Sequence, residues 1–318
     1  MNLLEFQEFF KIEEQGGVKS MFKPKGVIPA LVTPLDQNGN LMEDALRKVI
    51  DYTIAGGVHG LFILGSSGEI YGLTPEQKRR VVEVTVDHTA GRVPIFCGAS
   101  EITTRDCIQT AQMVEEIGGV SALSVLTPYF MSPTQTELAE HFKAIAKSTN
   151  LPVILYGNEA RTQVKIDVKT CEELSKVDNI IGIKDSSGDM TKTAEYLRVT
   201  PRESFSVLLG RDTLIYAGLC HGATGAIAST GNIAPKLVAD IYNTFVAGDY
   251  QKSLELQFKL APLRLAVDRA TFPVVLKEGL RMVGIDVGYS FAPAAEMNPE
   301  SKTILENVLK DLELYQIY

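Results

Sequence analysis

The sequence has few of the residues that would hold a metal or a disulfide framework. Its four cysteines, Cys97, Cys107, Cys171 and Cys220, are scattered with no CxxC pair. They read as reduced and mostly buried, in a reducing cytosol, and a cytoplasmic protein is expected. The four histidines, His59, His88, His141 and His221, show no ligand spacing such as HxxxH. A structural zinc site and zinc-assisted catalysis are therefore disfavoured. No phosphate-cradling P-loop occurs. No apolar run reaches the roughly 18 residues of a membrane span. Positive charge is in deficit, with 31 Lys+Arg against 39 Asp+Glu and a net charge of -8. Neither nucleic acid nor an anionic membrane is an expected partner of such a chain. Residues 1–17 carry Glu throughout and lack a cleavage site of small residues, so they do not read as a signal peptide.

What is present is ample chain for a core: 318 residues, 45% hydrophobic and 22% charged. Leu3, Leu4, Phe6, Phe9 and Phe10 fall on one face of a short helix that Gly16-Gly17 would end. Residues 1–22 are thus expected to form an N-terminal extension that packs on the body or on a partner subunit. From Gly26 the chain repeats one pattern, a short β-branched or apolar run followed by a turn and a helical period. Strands are expected at 27–32, 60–64, 94–97, 122–126, 152–156, 180–184, 206–209 and 225–228. Helices are expected between them, at 42–55, 75–89, 103–117, 135–148, 167–176, 190–198 and 214–220. Thr74-Pro75-Glu76 is one of the helix starts, a cap residue followed by Pro.

Alternating β and α units imply a parallel sheet. Eight of them suit an α/β fold of the closed (β/α)8 TIM-barrel kind. An open doubly wound sheet is the runner-up. It normally has a glycine-rich turn after its first strand, whereas this turn is Thr33-Pro34-Leu35-Asp36. Past Pro235 the strand pattern stops, and 236–247, 250–267, 272–283 and 299–314 all read as helices. The expected division is an extension at 1–22, a barrel at 23–247 and a C-terminal helical region at 248–318, the last without a catalytic signature.

In such a barrel the reactive groups lie at the carboxyl ends of the strands. The sixth strand candidate, IIGIKDSSGD, ends in Lys184. An isolated lysine there most often marks where the strand leaves the core and snorkels to water. The sharper reading is a desolvated amine with a lowered pKa that attacks a carbonyl. Strand two ends in Gly65-Ser66-Ser67-Gly68-Glu69, a small-residue turn able to face an anion or to serve as an ordinary loop. Strand five ends in Tyr156, with Arg161 just beyond. The tyrosine is either a plug or a proton carrier, and the arginine either a solvated charge or a carboxylate fork. All the bland readings holding together around one lysine is less expected than the sharp one.

The motifs GSSGE, LPVILY, Arg161-Thr162, GIKDSSGD and GAIASTGNIAP, in that order, resemble the dihydrodipicolinate synthase / N-acetylneuraminate lyase family. These are pyruvate-dependent class I aldolases on a TIM barrel, and the resemblance runs from about Lys25 to the C-terminus. It implies that Lys184 forms a Schiff base with pyruvate and that Tyr156 shuttles protons. It implies that Ser66 and Ser67 hold the pyruvate carboxylate, with the Ser67 hydroxyl joining the proton relay. Ile227 would flank pyruvate through its backbone, and Arg161 would bind the carboxylate of an aldehyde partner such as aspartate semialdehyde. No cofactor or metal is implied, and a homo-oligomer, dimer or tetramer, is expected.

Two stretches depart from the synthases. The second residue of their tandem tyrosine, which completes a proton-relay triad, is here Phe130, after Tyr129. Their Asn-Val-Pro-x-Arg-Thr-Gly run is here Gly157-Asn158-Glu159-Ala160-Arg161-Thr162-Gln163, with an added acid at Glu159. A 2-keto-3-deoxy sugar-acid aldolase, or a related dehydratase, is the alternative these changes raise, with Arg211 at the strand-seven end offering polar contacts. A metabolite-binding regulatory barrel is the alternative outside enzymes, and Lys184 and Tyr156 together argue against it.

Overall fold

The computed structural model describes residues 22–316. The expected helix over Leu3–Phe10 lies outside them. Eight strands form one parallel sheet: β1 (Gly26–Pro29), β2 (Leu61–Ile63), β3 (Ile95–Gly98), β4 (Ala122–Leu126), β5 (Val153–Gly157), β6 (Ile180–Asp185), β7 (Ser206–Leu209) and β8 (Gly225–Ala228). Neighbours run in chain order from β2 to β8, and β8 pairs with β1. The ring closes just beyond β1, where Ala30 bridges Phe62 and the Leu31 amide donates to the Phe62 carbonyl at 2.8 Å. The expected (β/α)8 barrel is the observed fold.

Between the strands run α1 (Glu43–Ala55), α2 (Pro75–Thr89), α3 (Thr104–Ile117), α4 (Gln135–Lys147), α5 (Glu159–Thr162), α6 (Val168–Leu174), α7 (Met190–Val199) and α8 (Ile215–Cys220). At the starts of α2, α3, α4 and α7 a threonine or aspartate side chain replaces the missing intrahelical partner. Thr74 and Thr134 each form a full capping box, with Gln77 and Glu137 respectively. The four-residue α5 directly after β5 is the one helix the periodicity did not reveal.

Two apolar layers hold the barrel. The inner one takes residues from every strand, among them Ile28, Phe62, Phe96, Ala122, Ile154, Ile181, Leu208 and Ile227, all buried. The outer one lies between strands and helices and includes Val153, Leu155, Ile180 and Ile183. Strict alternation from Ile181 would turn Ile183 inward and Lys184 outward. The register instead slips between β5 and β6: Val153 faces Ile180, but Ile154 faces Gly182. This bulge inverts the phase of β6, so Ile183 joins the outer layer and Lys184 turns inward beside Tyr156. Gly182 permits it, because a Cβ there would come within 2.6 Å of the Ser206 carbonyl oxygen.

Buried polar side chains brace the rim. Asp212 accepts from the Thr230 amide (2.7 Å) and hydroxyl (2.6 Å), tying the end of β7 to that of β8. Asn232 accepts from the Val32 amide at 3.0 Å and donates to the Ala30 carbonyl at 2.7 Å, tying β8 to β1. Beyond the barrel, α9 (Pro235–Val246) leads into α10 (Tyr250–Ala266), α11 (Val274–Met282) and α12 (Pro299–Asp311). These C-terminal helices reach the carboxyl end of the barrel. The segment after α11 pairs there with the loop after β1, through Leu35 and Gly288.

Candidate active site

The carboxyl ends of the strands open into a cavity of about 370 Å³. Ser66, Ser67, Tyr156, Arg161, Lys184 and Ile227, the six residues singled out in the sequence, all line it. Tyr156 and Lys184 sit opposite each other in the β5–β6 register, 4% and 5% exposed. The Lys184 Nζ lies 3.9 Å from the centre of the Tyr156 ring and 5.1 Å from that of Phe62. An amine in this place has an aromatic floor. The carboxylate next to it in the chain, Asp185, turns away to accept from the Thr193 hydroxyl at 2.6 Å.

Burial alone would push the Tyr156 phenol up. The Lys184 charge, with hydrogen bonds from Asn158, Ser66 and Lys184, outweighs this and brings it down to about 8. A phenol in that range exchanges protons near neutral pH. Ser66 and Ser67 stand in a tight turn closed by Gly68 N–H to the Gly65 carbonyl at 3.0 Å. The Thr33 hydroxyl holds the turn from outside, donating to the Gly68 carbonyl at 2.7 Å.

Arg161 rises from α5 and stacks on the ring of Phe272 at 4.5 Å, which leaves the edge of its guanidinium to the cavity. Arg211 also lines the wall. It is held by Asp268 (3.5 Å), which Arg264 grips from α10 at 2.9 Å. Sequence reasoning missed Asn158, Ser186, Arg264, Asp268 and Phe272 in this wall. The last three come from the helical region, where nothing in the local pattern signals a long-range contact. Glu159 does not add an acid to the cavity. It is paired with Lys192 of α7 and lies outside the lining. Phe130 is 95% exposed with a backbone φ of +72°, outside the lining of this cavity. Among the described residues no group of three or more His, Cys, Asp or Glu is placed to hold a metal, and no helix is long and apolar enough to cross a membrane.

Residues 23–312 match the model of the dihydrodipicolinate synthetase family. The chain belongs to that family. It is a Schiff-base lyase of the class I type, as the sequence motifs implied. A 4-hydroxy-tetrahydrodipicolinate synthase of Methanocaldococcus jannaschii is 36% identical over 291 residues, spanning 91% of this chain and 99% of the relative. The crystal structure of dihydrodipicolinate synthase from Aquifex aeolicus superposes with a TM-score of 0.89 at 31% identity, covering 93% of this chain and all of that one. An E. coli prophage protein of the same family, solved in complex with pyruvate, has a TM-score of 0.87 at 29% identity, covering 91% of this chain and 99% of that one.

Proposed function

We propose that the protein condenses pyruvate with an aldehyde that carries a carboxylate, aspartate semialdehyde being the fitting case. The observation that supports this best is one cavity in which a buried lysine faces a buried tyrosine, with a hydroxyl turn on one side and an arginine on the other. In this reading the neutral Lys184 amine attacks C2 of pyruvate. Loss of water leaves an iminium, an electron sink for the carbon–nitrogen system. A proton then leaves the methyl carbon, and the resulting enamine carbon bonds to the aldehyde carbon. Hydrolysis of the new imine returns the free lysine. Tyr156 relays protons at the amine and at the departing water; the Ser66 hydroxyl, which hydrogen-bonds the phenol, takes the place in this relay expected for Ser67. Ser66 and Ser67 hold the pyruvate carboxylate, Ile227 borders the pyruvate through its backbone, and Arg161 takes the carboxylate of the aldehyde as a fork.

No cofactor is called for in this scheme. The protein is further proposed to be cytoplasmic and to act as a homo-oligomer, dimer or tetramer. The division at 247 between barrel and helical region is the proposed domain boundary. Treatment with pyruvate and borohydride, followed by peptide mass analysis, tests the Schiff base. An adduct on Lys184 is expected, and its absence refutes the reading. A panel of aldehydes assayed with pyruvate tests the partner. Turnover of sugar aldehydes well above that of aspartate semialdehyde would overturn it in favour of the sugar-acid aldolase. Lys184→Ala is expected to abolish turnover, while Tyr156→Phe retains a slow remainder.

A further inference from the structure

Asn158 occupies the N-cap position of α5, immediately after β5. Asparagine at an N-cap ordinarily accepts a hydrogen bond from one of the free amides of the first turn. Here the side chain makes no such bond. It turns back into the cavity, 9% exposed, and its Nδ2 donates to the Tyr156 hydroxyl oxygen at 3.1 Å. The helix thus forgoes its cap while a buried amide is spent on the phenol. Phe130, fully out in solvent, offers no hydroxyl that could serve in its stead.

We propose that Asn158 is a positioning residue for proton transfer at Tyr156: its amide N–H fixes the phenol oxygen beside Lys184 and favours the ionised phenol. This rests on the proton-relay role given to Tyr156 above. An N–H donor stabilises the anion over the neutral form, so its removal makes the phenol harder to ionise. The low value near 8 agrees, since Asn158 is one of the groups that lower it, after the Lys184 charge. The charged groups that share the cavity with Tyr156 are Lys184 from β6, Arg161 from α5, Arg211 beyond β7, and Arg264 and Asp268 from the C-terminal helices.

Phenolate absorbance reads this directly, and the chain contains no tryptophan to obscure it. Wild type is expected to show one tyrosine titrating at about 8, absent in Tyr156→Phe. In Asn158→Leu its midpoint should rise by about one pH unit or more, the size of one hydrogen bond to a charged group. Asn158→Ala removes the donor without adding a charge, so it should shift the midpoint the same way and carries the test if the leucine variant does not fold. The limb of the kcat–pH profile that disappears in Tyr156→Phe should move with the midpoint, while KM for pyruvate stays within about twofold. A midpoint that is unchanged or falls, or a kcat profile that does not follow it, overturns the proposal. The titration needs no turnover. A missing borohydride adduct on wild-type Lys184 would therefore sink the Schiff-base reading separately, without touching the spectroscopic result.

Discussion

Lys277 should be costly to remove although it lies outside the cavity lining. It stands on α11, and its Nζ lies 2.6 Å from Oε1 of Glu69, the residue that closes the Gly65–Glu69 turn. The two side chains are 3% and 0% exposed. The second Glu69 oxygen accepts from the Phe291 amide at 2.9 Å, and Lys277 also donates to the Tyr289 carbonyl. Burial pulls the Lys277 amine below its usual range, with the Glu69 carboxylate opposing that and Arg281 adding to it. The pair therefore gains little over an apolar contact while both partners are present. Removing one is a different matter, because the other charge is left in a dry site. Lys277→Met keeps the length and deletes the charge, and breaking such a pair costs about 3–5 kcal/mol. Lys277→Met/Glu69→Leu removes both charges and should recover most of that loss. Urea unfolding with the slope held comparable between variants measures both. A loss below about 1 kcal/mol in the single variant, or a double variant as unstable as the single, would show that the pair is neither dry nor coupled. Glu69 is continuous with Ser66-Ser67, so the folded single variant should also bind pyruvate more weakly. An unchanged KM for pyruvate would separate stability from the shape of the turn.

Arg161→Met should raise KM for a carboxylate-bearing aldehyde by about 10- to 100-fold, the weight of a charge-assisted contact. Borohydride trapping of pyruvate on Lys184 should be unaffected, and loss of trapping would contradict the assignment of Arg161 to the second substrate. Tyr156 makes stability depend on pH. Its folded value near 8 lies below the ordinary 10.0, so its contribution is complete above pH 10 and is lost as pH falls through 8. Unfolding free energy of wild type relative to Tyr156→Phe should thus grow by about 2–3 kcal/mol from pH 8 to 10, and parallel curves would refute this. His141 acts at the other end of the scale. Burial holds its imidazole down at about 4 against 6.5, and its Nε2 has no partner. Its contribution is complete above pH 6.5 and lost as pH falls toward 4, so His141→Leu should flatten the acid limb of stability by about 3 kcal/mol. An unchanged acid limb in that variant would show that His141 takes up its proton without unfolding.

The strands were legible because burial on both faces demands near-continuous apolar runs, and a barrel confines chemistry to their carboxyl ends. A single short apolar run is ambiguous between a strand and a buried helix segment, but eight such runs with helical periods between them are not. The direction of Lys184 was not legible. In IIGIKD every residue is buried, so alternation carries no phase, and only the pairing with β5 exposes the bulge that turns the lysine inward. Asn158 was hidden for a related reason. No helix is expected at 159–162, so its letter carries no cap signal, and only the observed bond to Tyr156 shows what the side chain does. The role of the helical region shows only in the structure. From Val274 to Leu280 α11 is buried residue by residue, and Lys277-Glu278 sits in the middle of that run. A charged pair in a helix with no wet face needs partners elsewhere in the chain. One of those partners is Glu69, two residues from Ser67. The C-terminal helices are therefore bound to the turn that faces the cavity by an ion pair, and to the cavity wall by Asp268 and Phe272. A region that looks like an appendage in the sequence is, by these contacts, part of what gives the site its shape.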